Sequence, residues 1–151
     1  MGQPILWKVA LALAGVTVLT ACTEVRGDIS RDGMIFDGIA PDATVTALGT
    51  EPFWSLTITP DATGAYEGGF STLEAPDPQA FALTRFAGNN GIGYSGTFKG
   101  EAVQLALTPG ECSDQMSDRR YPFTATMAIG EATLMGCAYT SADPFASEVA
   151  P

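Results

Sequence analysis

The stretch from Cys112 to Cys137 reads CSDQMSDRRYPFTATMAIGEATLMGC. Two cysteines bracket a polar, charged turn and then a hairpin. Phe123, Ala125, Met127 and Ile129 fall on one face of an alternating run, which is the period of a strand. Gly130-Glu131 has the form of a two-residue turn that places glycine first, and Ala132–Tyr139 returns from it. We read the stretch as a disulfide-closed loop that staples the end of a small β-barrel.

The same alternation extends towards the N-terminus. Ile92–Phe98 and Glu101–Thr108 pair across Lys99-Gly100, with Val103, Leu105 and Leu107 as a buried stripe. Gln79–Phe86 and Ala65–Leu73 read as strands, separated by the two-proline loop Glu74–Pro78. Phe53–Thr59 turns Trp54, Leu56 and Ile58 to one face. Thr44–Leu48 opens the domain ahead of the turn Gly49-Thr50-Glu51-Pro52. Pro109-Gly110 is expected to break its strand, and Glu111–Arg120 to hold one short helical turn stopped by Pro122. About eight short strands at a spacing of roughly 8–12 residues predict an all-β class, a small antiparallel barrel or sandwich.

The length of 151 residues fits one domain. Lys8 precedes the apolar run Val9–Leu19, and small residues close it, which is the form of a secretory signal. The run is too short to span a bilayer, which takes about 20 apolar residues. Leu19-Thr20-Ala21-Cys22 resembles the lipobox of bacterial lipoproteins. That resemblance implies cleavage before Cys22 and diacylglycerol on its sulfur, and acyl chains at about 0.8 kcal/mol per buried methylene anchor a protein stably. Thr23, in place of an Asp, points to the outer membrane under the sorting rule of such lipoproteins. The expected organisation is a signal over 1–21, a flexible tether over 22–43, the β-domain over 44–139 and a disordered tail over 140–151. Met34-Ile35-Phe36 is a candidate docking segment within the tether.

Removing Met1–Ala21 takes away Lys8 and no acid, leaving 6 basic against 17 acidic residues and a net charge of −11. Such a charge opposes nucleic-acid binding, which rests on neutralised phosphates, and favours basic partners. With Cys22 taken by lipid, Cys112 and Cys137 are the remaining thiols, and an exported chain is expected to join them. A loop of this size contributes about 3 kcal/mol in the chain-entropy account. The chain contains no histidine, so triads built on histidine and the commonest zinc ligand are absent. No cofactor and no catalytic residue are expected.

Glu111, Asp114 and Asp118 offer oxygen ligands but lack the spacing of a calcium loop; a solvated polar loop is the favoured reading. Arg119, Arg120 and Tyr121 form the densest basic cluster. They either pair with local acids or hold a small anionic ligand by two-point guanidinium contact. Glu51 and Trp54 are candidates to stand behind them, with a core indole as the plainer reading of Trp54. Met116, Met127 and Met135 raise a copper thioether site, against which core packing is favoured. Glu51 with Asp114 or Asp118 leaves a paired-carboxylate hydrolase formally open.

Gly49-Thr50-Glu51-Pro52-Phe53-Trp54, with Cys112-Ser-Asp-Gln-Met-Ser-Asp-Arg-Arg-Tyr-Pro122 and Gly136-Cys137, resembles a group of small bacterial lipoproteins patterned G-x-E-P-F-W, C-x-D-x-M-S-D-x-x-Y-P and G-C. The likeness covers most of 45–139. It implies a periplasm-facing β-domain and carries no activity with it. Gly93-Tyr94-Ser95-Gly96 and Lys99-Gly100-Glu101-Ala102 bear a weaker likeness to the membrane-bound inhibitors of c-type lysozyme. In those β-barrels a loop serine and a lysine enter the enzyme's cleft. Lys99 matches the lysine and Tyr94 the loop tyrosine, while the serine position falls among Asn89, Asn90 and Gly91. The expected function is a lipid-anchored, non-catalytic binding module of the envelope, with lysozyme inhibition as the alternative.

Overall fold

The computed structural model describes residues 35–147. The expected signal, the lipid-bearing Cys22 and the first part of the tether lie outside the described residues. Nine strands follow in order: β1 Val45–Thr50, β2 Phe53–Pro60, β3 Tyr66–Thr72, β4 Gln79–Ala87, β5 Ile92–Phe98, β6 Glu101–Cys112, β7 Arg119–Ile129, β8 Ala132–Thr140 and β9 Ala146–Ser147. Each strand from β1 to β8 pairs antiparallel with the next, and β8 pairs back onto β1, so eight strands close a meander barrel. The ninth pairs with the start of β7. Of barrel and sandwich, the chain forms the barrel.

Turn chemistry sets the register. Lys99 and Gly100 both take positive φ, 51° and 86°, which suits the right-handed twist of a two-residue hairpin. In the turn Gly130-Glu131, which joins Ile129 to Ala132, only Gly130 takes positive φ, 56°, the form that places glycine first. The Glu51–Pro52 peptide is cis and closes β1 onto β2, with Thr50 opposite Phe53.

An eight-stranded barrel has an interior just wide enough for side chains to fill. Here Trp54, Leu56 and Ile58 of β2 face inward with Tyr94 of β5, Leu105 of β6 and Met127 of β7, all buried. Phe98 meets Phe70 edge-on at 5.4 Å between ring centroids, within the usual range for an aromatic pair. The Trp54 indole demands the most room. Gly49 and Gly136 provide it, since a Cβ on either would strike the indole, and one on Gly136 would also strike the Leu48 carbonyl. The Trp54 Nε1 donates to the Met135 carbonyl oxygen at 3.3 Å. This gives a steric reason for glycine at both Gly49 and Gly136 in this chain.

Three expectations are corrected. Part of the expected tether belongs to the domain: Ile39 and Ala43 are buried in the core and Phe36 packs against it. Over 36–43 the chain caps one barrel mouth. The Phe36 N–H donates to the Gly88 carbonyl at 2.8 Å, Arg85 Nη2 to the Ile39 carbonyl at 2.7 Å and the Tyr66 hydroxyl to the Pro41 carbonyl at 3.0 Å. An isolated Ile carries no period, which hides such a plug from a pattern reading. The tail expected over 140–151 is ordered in its described part, because β8 runs through Thr140 and Phe145 packs on Tyr139. The helical turn expected over 111–120 does not form. β6 continues past a bulge between Pro109 and Cys112, and β7 already begins at Arg119; bulges absorb turn residues inside a ladder.

Replacing Gly136 by Ala is expected to cost about 1–3 kcal/mol through overpacking against Trp54 and the Leu48 backbone. Urea unfolding checks it, as a lower midpoint at unchanged slope.

Candidate functional site

Beyond the bulge, β6 and β7 run past the barrel, and the loop between them folds back over the outer wall. Cys112 and Cys137 are bonded, with Cα atoms 5.6 Å apart. This is the expected disulfide. Cys137 sits on β8 opposite Leu48 of β1, so the bond pins the loop across the line where the last strand meets the first. The Thr50 hydroxyl donates to the Asp114 carbonyl at 3.4 Å and extends the hold onto β1. We call this pinned loop, Cys112 to Arg119, the flap.

Asp114 shapes the flap from within. One carboxylate oxygen accepts the Met116 N–H at 3.1 Å and the Ser117 N–H at 2.9 Å. The other accepts the Ser117 hydroxyl at 2.8 Å and the Tyr121 hydroxyl at 3.1 Å. Aspartate closing its own turn in this way is a familiar local device. Desolvation opposes ionisation, but the Ser117 hydroxyl and N–H, the Met116 N–H and Tyr121 outweigh it, and the carboxyl is pulled down to about 2. Burial pushes the Tyr121 hydroxyl up, and its bond to Asp114 adds to this.

Both arginines are engaged within the chain. The Arg119 guanidinium lies over the Phe145 ring at 4.5 Å, a cation–π contact, while its backbone pairs with Ser147 of β9. Arg120 Nε lies 3.5 Å from a carboxylate oxygen of Glu111, an exposed pair of small energetic weight. Tyr121 is buried with its ring 5.6 Å from that of Phe145. Of the two readings of this cluster, local pairing is what the geometry provides. Phe145 was not singled out in the sequence. A lone aromatic in an otherwise small and acidic tail was the available signal.

Between flap and wall runs a groove of about 480 Å³. It brings Glu51 and Asp114 together with Ser113 and Gln115, the disulfide and two exposed methionines, Met116 and Met135. Arg119, Arg120 and Tyr121 do not line it. Trp54 is fully buried beneath the Met135 backbone, so it supports the wall and touches no ligand. The charged residues of the lining are both acidic, which suits a cationic or neutral occupant and opposes an anion. Asp114, held ionised with both oxygens taken, is not a proton donor at neutral pH.

Tyr94 and Lys99 are placed apart. Tyr94 is buried inside the barrel, edge-on to Tyr66 at 5.6 Å. Lys99 stands at the exposed tip of the β5–β6 hairpin with its Nζ 5.1 Å from the Phe98 ring centroid. Glu111, Asp114 and Asp118 form no metal-holding cluster among the described residues. Comparisons with models of protein families, with curated proteins and with solved structures found no match.

The Asp114 carboxyl binds its proton less readily folded than unfolded, where 3.8 is usual. Its contribution is therefore present above about pH 4 and is lost as pH falls towards 2. Urea midpoints at pH 5 and pH 2 check this, and Asp114→Asn is expected to flatten that part of the curve.

Proposed function

We propose that this chain is a lipoprotein anchored through Cys22 in the outer membrane, facing the periplasm, whose barrel serves as a non-catalytic binding module. The supporting observation is the groove: a covalently pinned flap carrying Met116 faces a wall that carries Met135 and the Glu51 carboxylate, over a solid scaffold. A side-chain-filled interior makes the barrel a platform and leaves recognition to its outer wall. The partner that fits is a basic polypeptide segment with apolar side chains. Its charge answers the acidic lining and the net charge of −10, which steer encounter. Its apolar groups answer Met116 and Met135, since methionine adapts to varied surfaces.

A photo-crosslinking residue at Gln115 tests this in the intact envelope. The expected product is a crosslink to a basic protein that weakens when Glu51 becomes Lys and as salt is raised. Capture indifferent to both changes would refute the docking reading. Cys22→Ser is expected to shift the protein from the membrane to the soluble fraction, and retention in the membrane would remove the anchor.

Lysozyme inhibition is the second reading, supported by the exposed position of Lys99 at the tip of its hairpin. Purified protein in large excess is then expected to slow the clearing of a cell suspension by c-type lysozyme, and Lys99→Ala to restore the rate. An unchanged clearing rate removes this reading.

A further inference from the structure

The three late methionines divide sharply. Met127 is fully buried in the barrel, where packing is its whole task. Met116 and Met135 are 79% and 62% exposed, and both line the flap groove. Exposed thioethers gain little from hydrophobic burial, so packing does not account for their position. The backbone of each is held by a side chain. Asp114 accepts the Met116 N–H, and the Met135 carbonyl accepts the Trp54 indole N–H. The disulfide joins the flap that carries Met116 to the strand that carries Met135. The two methionines therefore line one groove, with a covalent tie between the segments that carry them.

From this arrangement we infer that Met116 and Met135 form a site for a soft monovalent cation of the copper(I) class. The inference takes the groove of the proposed binding module as its location but needs no protein partner. A thioether is neutral, polarisable and weakly basic, so it discriminates strongly in favour of soft ions and against calcium, magnesium or zinc. It binds without losing a proton. The Glu51 carboxylate lines the same groove and supplies the compensating charge. No lysine or arginine lines the groove to repel a cation. The Met135 sulfur now accepts the Thr126 hydroxyl at 3.6 Å, a weak bond that a metal would displace at little cost.

Silver(I), a redox-stable probe of this class, tests the site. The full-length protein in detergent and chloride-free buffer is titrated with silver nitrate and read by native mass spectrometry and calorimetry. One silver ion per chain is expected. The double variant Met116→Leu/Met135→Leu is expected to bind at least about tenfold more weakly, because the thioethers are gone while the volume is kept. Met127→Leu is expected to bind as the parent does, and a hundredfold excess of calcium not to compete. Leucine preserves shape and hydrophobicity, so crosslinking through Gln115 is read on the same double variant. Silver lost with partner capture kept upholds the metal site beside the docking reading; silver bound with no partner captured upholds the metal site and removes the docking reading. No silver uptake by the parent, or uptake by the double variant within threefold of it, overturns the inference.

Discussion

Four residue pairs, from Val45 with Thr140 to Leu48 with Cys137, join the first strand of the barrel to the last. A meander of eight antiparallel strands is otherwise an open sheet with two exposed edges, and unpaired edges invite association with other chains. The seam removes both edges at once. It brings Gly136 alongside Gly49 against the Trp54 indole, inside the wall. It also sets Cys137 where the flap can reach it from outside. Core and outer surface are thus registered against each other by the same short ladder.

The position of the flap follows from the seam and from sulfur chemistry together. Without the bond between Cys112 and Cys137, a loop rich in Asp, Ser and Arg would have little apolar surface with which to hold itself against a wall. With the bond, a few local hydrogen bonds are enough. Asp114 closes the turn and accepts the Tyr121 hydroxyl, and the Thr50 hydroxyl donates to the Asp114 carbonyl. The C-terminal segment backs the arrangement through Phe145, which covers Tyr121 and carries Arg119 on its face. Positive charge is thereby spent on internal contacts, and the groove is left with carboxylates and sulfur. The electrostatic character of the surface depends as much on where the arginines are used as on the overall acidity of the chain.

Strand alternation made most of the barrel readable in advance. Val103, Leu105 and Leu107 on β6, and Phe123, Ala125 and Met127 on β7, face the interior as their period requires. The two hairpin turns at Lys99-Gly100 and Gly130-Glu131 were equally plain, because only certain residues accept positive φ. The site was legible in part. The segment after Cys112 was identified as the place where polar side chains gather, and Asp114 with Tyr121 does form its centre. The roles of its members were not legible. Arg119 finds its partner in Phe145, 26 positions later, and such pairings depend on how the tail is routed.

What the amino-acid order decided alone is whatever rests on neighbours: the period of each strand, the turn residues, the acidic balance and the absence of histidine. Closure, the plug at Ile39 and the separation of Met127 from Met116 and Met135 were decided by tertiary structure. Three methionines of the same type look alike along the chain, and only the three-dimensional path assigns one to the core and two to a single groove. The physical reason is range. Steric and hydrogen-bonding preferences within a few residues are written locally, whereas burial is a property of the whole assembled surface.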